Sequence, residues 1–206
     1  MPASPQPAPL QRRIRQQMRD EVAQAALRLF VEDGYDETTV DQICTAAGIS
    51  RRSFFRYFST KESVVVSLIA GHAEDGAAVF AEQAAVTDIW TALRRSLDPF
   101  QKWVETDPTQ ARALMRLIES TPALLAAYLV KLDDFGRRFA DTITARVDPT
   151  AEQRLVANVI ASAAMGALVE AGRCWSDSNG RQPLSQFLDV SFNALRSTAP
   201  AGSPAF

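Results

Sequence analysis

The chain has 206 residues, enough for one sizeable domain or for a small domain fused to a larger one. Its 47% apolar and 22% charged content excludes a disordered chain. The net charge of −2 excludes a polycation, so any affinity for nucleic acid must come from local clustering.

The opening, MPASPQPAPLQRRIRQQ, has no apolar core after a basic start, so no secretory signal is expected. No run of apolar residues reaches the ~20 needed to cross a bilayer. A cytoplasmic protein with no membrane partner is the expectation. Residues 1–10 are Pro- and Ala-rich without periodicity and predict a disordered arm. From Gln11, the residues Ile14, Met18, Val22, Ala25, Ala26, Leu29 and Phe30 recur at helical spacing, and Gly34 supplies the stop. In DETTVDQICTAAGIS, Thr39 and Gln42 form a capping-box pattern before a short stripe of Val40, Ile43, Cys44 and Ala47. Gly48 ends that helix, Ile49 plugs the turn and Ser50 caps the next helix. A further helix starts at KESVVVSLI, with Thr60 as its cap and Ser59 with Glu62 as an alternative box. Short helices joined by a glycine-containing turn are the helix-turn-helix arrangement.

The remainder predicts helices over 88–105, 108–119, 122–146, 151–176 and 184–197, with breaks at Asp107-Pro108, Thr121-Pro122, Asp148-Pro149 and SDSNGRQP. Thr150 and Gln153 form another capping box. The fold class is all-α: a helix-turn-helix unit over 11–62 and a larger helical domain over 63–198, about nine helices, with a disordered tail over 199–206. Cys44 and Cys174 belong to no CxxC pair and read as reduced packing residues. The single histidine, His72, leaves little for metal or acid–base chemistry, and no cofactor is expected.

The stretch RRSFFRYF at 51–58 is the helix after the turn. Phe54 and Phe58, four apart, share a face that can pack on the first helix, while Arg51, Arg52, Phe55 and Arg56 point elsewhere. Guanidinium forks suit phosphate and the edge of guanine, an aromatic ring can meet a thymine methyl, and a tyrosine hydroxyl can bond a phosphate. Residues 51–61 carry Arg51, Arg52, Arg56 and Lys61 with no acid, and residues 11–19 carry Arg12, Arg13, Arg15 and Arg19 with no acid. Two basic patches on a chain of net charge −2 could flank one duplex.

With these residues in register, TTVDQICTAAGISRRSFFRYFSTKESV resembles the amino-terminal signature of the tetracycline-repressor (TetR) family of bacterial regulators. The resemblance implies a DNA-binding domain in which Thr39, Ser53, Tyr57 and Lys61 contact phosphate and Arg51, Arg52 and Phe55 face the bases, with Arg56 on the same arginine-bearing surface. Position 55 is often tyrosine in that family; Phe55 keeps the apolar contact and excludes a hydrogen bond. The segment RALMRLIESTPALLAAYL at 112–129 resembles the ligand domain of TetR-type regulators that respond to fatty-acyl-CoA-like molecules, including the mycofactocin-associated ones.

The stretch 151–176 is apolar nearly all round and rich in small residues, and Leu184, Phe187, Leu188, Ser191 and Leu195 share a stripe on the last helix. In the family such a pair of helices forms a homodimer, which implies a palindromic double-stranded DNA operator. A hydrophobic effector, the acyl-CoA class among the candidates, would meet Trp103, Leu114, Met115, Ile118, Phe135, Phe139 and Trp175. The function expected is a ligand-responsive transcriptional repressor. An enzyme is not expected, because no nucleophile, base or metal set and no phosphate loop is present. The alternative is an all-helical protein–protein adaptor with a basic docking face.

Overall fold

In the computed structural model, the chain is described over residues 9–145, 150–179 and 181–198. Within them every regular element is a helix. The chain divides into two compact units between Leu68 and Ile69, six residues beyond the division expected at 62/63. The tail over 199–206 and the Asp148-Pro149 break lie outside the described residues. So does the expected arm, except that Pro9 and Leu10 already open the first helix.

The first unit contains α1 (Pro9–Glu32), α2 (Val40–Ala46), α3 (Arg51–Tyr57) and the start of α4 (Lys61–Gln83). The apolar face of α1 buries Val22, Ala26 and Phe30, α2 contributes Ile43 and Cys44, and α3 contributes Phe54. Both halves of the capping box form on α2: the Thr39 N–H donates to Gln42 Oε1 at 2.7 Å and the Gln42 N–H to Thr39 Oγ1 at 3.2 Å. The helix ends in a Schellman motif, in which Ile49 N–H reaches Cys44 O at 3.0 Å and Gly48 N–H reaches Thr45 O at 3.2 Å. That turn holds Gly48 at φ +64°, where an L side chain is strained. Ser50 Oγ then accepts the Ser53 N–H at 3.1 Å and starts α3.

At the start of α4, Thr60 Oγ1 accepts the Ser63 N–H at 3.2 Å and the Ser63 hydroxyl accepts the Thr60 N–H at 3.1 Å. The reciprocal pair is therefore Thr60 with Ser63. Glu62 is occupied elsewhere, by Tyr35.

The second unit holds the rest of α4 and α5 (Ile89–Ser96), α6 (Asp98–Thr106), α7 (Pro108–Ser120), α8 (Pro122–Thr144), α9 (Ala151–Asp177) and α10 (Leu184–Thr198). The segment expected as one helix over 88–105 is two. Pro99 has no N–H for the carbonyl of Arg95, and the chain breaks at Leu97. At this break α4 passes so close that a Cβ on Gly76 would lie 2.4 Å from the Ser96 carbonyl oxygen, so only glycine fits. Arg94 secures the corner, donating from Nε to Asp189 of α10 at 2.7 Å and from Nη1 to Asp98 at 3.0 Å. Pro108 and Pro122 open α7 and α8, where a missing N–H costs nothing. The layer α8, α9, α10 buries Leu124, Phe135, Phe139, Ala161, Ala164, Trp175, Leu184, Leu188 and Phe192.

Two helices, Lys61–Gln83 and Ala151–Asp177, are long and apolar enough to cross a membrane by length and composition, against the sequence expectation. In α9 part of that composition serves helix packing: the helix buries a run of small residues, Ala157, Ala161, Ala164 and Ala171, that lets its neighbours approach. Of the two cysteines, Cys44 is buried as expected, and Cys174 is exposed and fills no core.

Replacing Gly48 by Ala is expected to destabilise the first unit by about 1–2 kcal/mol through its left-handed backbone, with no steric clash to add to the cost. A lowered thermal unfolding midpoint, followed by circular dichroism, checks this; an unchanged midpoint contradicts it.

Candidate functional site

Two buried rings set the orientation of α3. Phe54 is 0% and Phe58 2% exposed, with ring centroids 5.4 Å apart. With that face turned inward, Arg51, Arg52, Phe55 and Arg56 are exposed, and Ser53 and Tyr57 are half-buried at the edge. Phe55 is half exposed, at 50%, with the Arg51 guanidinium 5.9 Å from its ring centroid. Arg51 Nη1 lies 3.1 Å from Asp41 Oδ2 on α2, both side chains well exposed. Such a surface pair contributes about 0–1 kcal/mol, so Arg51 remains available to another partner. Thr39 is exposed beside this surface, although its hydroxyl is engaged in the cap of α2.

Around Tyr57 the cations gather. Arg56 Cζ is 4.8 Å from the ring centroid and Arg56 Nη2 donates to the Tyr57 hydroxyl at 2.9 Å. Arg15, from α1, stands 6.0 Å from the same ring, and Arg19 stands 5.3 Å from the ring of Phe58. The amino-terminal basic stretch of α1 therefore meets the carboxy-terminal end of α3. The side chains of Arg12 and Arg13, the other half of that stretch, lie outside the described residues.

Lys61 is placed differently from the other expected phosphate contacts. Its Nζ donates to the carbonyl oxygens of Tyr35 at 2.6 Å and Thr38 at 3.1 Å, and it sits 4.0 Å from the centroid of the Tyr35 ring. The next residue, Glu62, accepts the Tyr35 hydroxyl. Burial above all, and then the bond to Glu62, push the Tyr35 phenol well above its ordinary value. Burial acts to raise the Glu62 carboxyl, but the Tyr35 hydroxyl and further hydrogen bonds outweigh it, and its pKa is lowered.

The residues expected to meet an effector fall into separate places in the second unit. Phe135 and Phe139 line an interior cavity of about 30 Å³, with Ile69, His72, Gly76, Phe100 and Leu168 among its other walls. Trp103 stacks on His72 with centroids 5.1 Å apart, just behind that wall. Met115 and Ile118 line a second cavity of about 20 Å³ beside Tyr128. Leu114 and Trp175 are buried and line neither. Sequence periodicity did not foresee the larger feature, an open groove of about 710 Å³ along the α8–α9 seam, with Gly136 and Gly166 among its walls. Leu132 and Met165 belong to both the groove and the first cavity, so they stand between them. The groove's Arg137 and Arg173 are each paired to a carboxylate on their own helix, Asp133 at 2.8 Å and Glu170 at 2.7 Å. Among the described residues no cluster of His, Cys, Asp and Glu could hold a metal ion.

Two family models match the chain: bacterial regulatory proteins of the tetR family over residues 23–68, and the MftR C-terminal domain over residues 87–200, more than half of the chain. The HTH-type transcriptional regulator TcmR of Streptomyces glaucescens is 34% identical over 66% of this chain and 62% of its own length. A protein described as the mycofactocin biosynthesis transcriptional regulator MftR, from Mycobacterium tuberculosis, is 30% identical over 51% of this chain and 53% of its own. The chain thus spans between about half and three fifths of these curated relatives. Among solved structures, a TetR-family regulator from Mesorhizobium loti superposes with a TM-score of 0.54 at 22% identity, covering 89% of this chain and 96% of that one. FadR from Bacillus subtilis, solved in complex with stearoyl-CoA, gives 0.58 at 16% identity, covering 87% and 98%. These two likenesses concern the fold alone.

Removing the Tyr35 hydroxyl (Tyr35→Phe) is expected to cost about 1–2 kcal/mol at neutral pH, since a part-buried carboxylate loses its donor. Glu62 has a lowered folded pKa, so its contribution is present above the unfolded value near 4.3 and is lost as pH falls through the folded one. Thermal unfolding followed from about pH 6 to pH 3 should therefore show a shallower acid loss in the variant than in the parent. Parallel acid limbs would contradict the assignment.

Proposed function

The chain belongs to the TetR family of bacterial regulatory proteins, whose members and relatives are transcriptional regulators and not enzymes, and from that premise we propose that it is a repressor released from its operator by a hydrophobic small molecule. The observation that carries the reading is the outer face of α3, where Arg51, Arg52, Phe55 and Arg56 stand exposed opposite the buried Phe54 and Phe58. A helix so rotated presents guanidinium forks and one apolar ring to a major groove. Thr39, Ser53 and Tyr57 border that face and serve phosphates.

The partner copy is held by the outer faces of α9 and α10. Leu155 and Val159 on α9 and Val190 on α10 are each more than half exposed, while Leu184, Leu188 and Phe192, on the inner side of α10, are spent on the protomer's own core. Two heads then read half-sites about 34–36 Å apart on a palindrome, within the cytoplasm.

For the effector, the apolar cavity beside Phe135 and Phe139 supports a ligand with a hydrocarbon part. Its volume, about 30 Å³, is an order of magnitude below the roughly 300–1,000 Å³ of a ligand site, so binding requires the helices to part. Ile69, His72 and Gly76 of α4 form part of its wall. A ligand that fits only the parted conformation lowers DNA affinity by the coupling energy, about 1–3 kcal/mol. The stearoyl-CoA in the FadR complex makes an acyl-CoA the first candidate. The chain would enter from the α8–α9 groove between Leu132 and Met165.

Arg52→Ala should weaken binding to a selected operator by about 1–3 kcal/mol and relax specificity at one position, with the dimer intact by sedimentation. Absence of any DNA affinity in the parent protein at low salt would sink the repressor reading. For the effector, Met165→Trp, which fills the passage, should abolish release of DNA by stearoyl-coenzyme A; unimpaired release in the variant would exclude this route.

A further inference from the structure

We propose that Arg15 of α1, and not Lys61, supplies the phosphate contact beside Tyr57; the proposal rests on the DNA-binding reading above. An ammonium group has three N–H donors. Two of those of Lys61 are directed at the carbonyls of Tyr35 and Thr38, at 2.6 and 3.1 Å, and the Tyr35 ring covers the cation at 4.0 Å. Two of its three donors and one side of the cation are thus taken up within the first unit, and turning the side chain fully outward to a phosphate would leave two carbonyls of the α1–α2 connection without their donor. Lys61 is thereby a positioning residue. It ties the first turn of α4 to the loop that caps α2, and so to the helix that precedes α3.

Arg15 is in the opposite situation. It is exposed, and among the described residues no carboxylate lies within ion-pair distance of it. Its guanidinium and that of Arg56 stand against one ring, at 6.0 and 4.8 Å, and the Tyr57 hydroxyl accepts from Arg56 and keeps its own O–H to donate. Two cations gathered at one ring repel each other until an anion joins them. Guanidinium forks and a phenolic O–H are donors matched to phosphate oxygens. Arg19, one turn further along α1 and set over Phe58, continues the row. Arg12 precedes Arg15 by three residues on the same helix. The first helix thus adds a backbone-tracking edge to the surface of α3, on the side of its carboxy-terminal end.

The test uses the full chain and a duplex that the parent protein selects from a random-sequence pool, with affinity measured against salt concentration. Arg15→Gln is expected to lower the slope of log affinity against log salt by about 0.9 and to weaken selected and random duplexes by the same factor. Lys61→Gln is expected to keep the parent slope while its thermal midpoint falls; outright failure to fold supports the same anchoring role, and the Arg15 arm then stands alone, since that side chain is exposed. A parent-like slope for Arg15→Gln overturns the proposal. So does a slope reduced by about 0.9 in Lys61→Gln with its midpoint unchanged. A parent protein without salt-dependent DNA binding fails earlier and overturns the repressor reading itself.

Discussion

A helix of seven residues cannot hold itself together in water, where isolated helices need ~12–15 residues even to be marginal. The third helix exists because Phe54 and Phe58 are buried, each worth about 1.5–3 kcal/mol of transfer free energy, and because Ser50 caps it for about 1 kcal/mol more. The same two rings fix its rotation. Side chains advance by a 3.6-residue turn, so once positions 54 and 58 face inward, positions 52, 55 and 56 have nowhere to go but out. Stability and the direction of the arginines are one constraint, and a change that loosened the two rings would disperse the recognition surface before touching any residue on it.

That constraint is passed along the chain by contacts of different kinds. Lys61 and Glu62, at the first turn of α4, grip Tyr35 by its carbonyl, its ring and its hydroxyl. The buried Thr38 closes the same loop by donating to the Gly34 carbonyl at 2.7 Å. Thr39 then caps α2, and the left-handed Gly48 turns the chain into α3. Each link is local, and only the first joins residues distant in sequence. The start of α4 is thus tied to α3 on two sides, through the Tyr35 loop and α2, and directly through residues 58–60 that join the two helices.

This division explains how much could be read from the residues alone. Caps and turns are short-range chemistry, so Thr39 with Gln42, Thr150 with Gln153, Gly48 and Ser50 were visible as patterns, and the pair Phe54 and Phe58 declared the inner face. Pro99 was equally visible, but the pattern of apolar residues ran through it, and only the packing of Gly76 against the freed end of α5 shows why the break is kept. Charge could be counted and not placed. Lys61 joined a basic tally because no local rule reveals that carbonyls 23 and 26 residues earlier will take its donors. The expected effector residues were picked by size and apolarity, which a core and a pocket share, and Leu114 and Trp175 are buried without lining either of the two cavities. The α8–α9 groove mixes apolar residues such as Leu129 and Val169 with Asp133, Arg137, Glu170 and Arg173, so no apolar stripe marks it.

Charge placement also reconciles a basic working surface with an acidic whole. The acids Glu32, Asp33, Asp36 and Glu37 cluster at and beyond the far end of α1. At 1.5 Å per residue, Glu32 lies about 26 Å along the helix from Arg15. The Debye length at physiological salt is about 8 Å, so those acids are screened three times over before they can cancel the patch. Under the proposed function, a duplex would meet at contact the local positive edge of α1 and α3. At a distance it meets a nearly neutral body that neither attracts nor repels it strongly. For a DNA-binding protein such an arrangement would limit long-range, sequence-blind capture and leave affinity to groups that must be in register with phosphates and base edges. On the proposed reading the near-neutral total and the clustered arginines would act together: the first would hold down binding where the fit is poor, and the second would supply it where α1 and α3 both find their contacts.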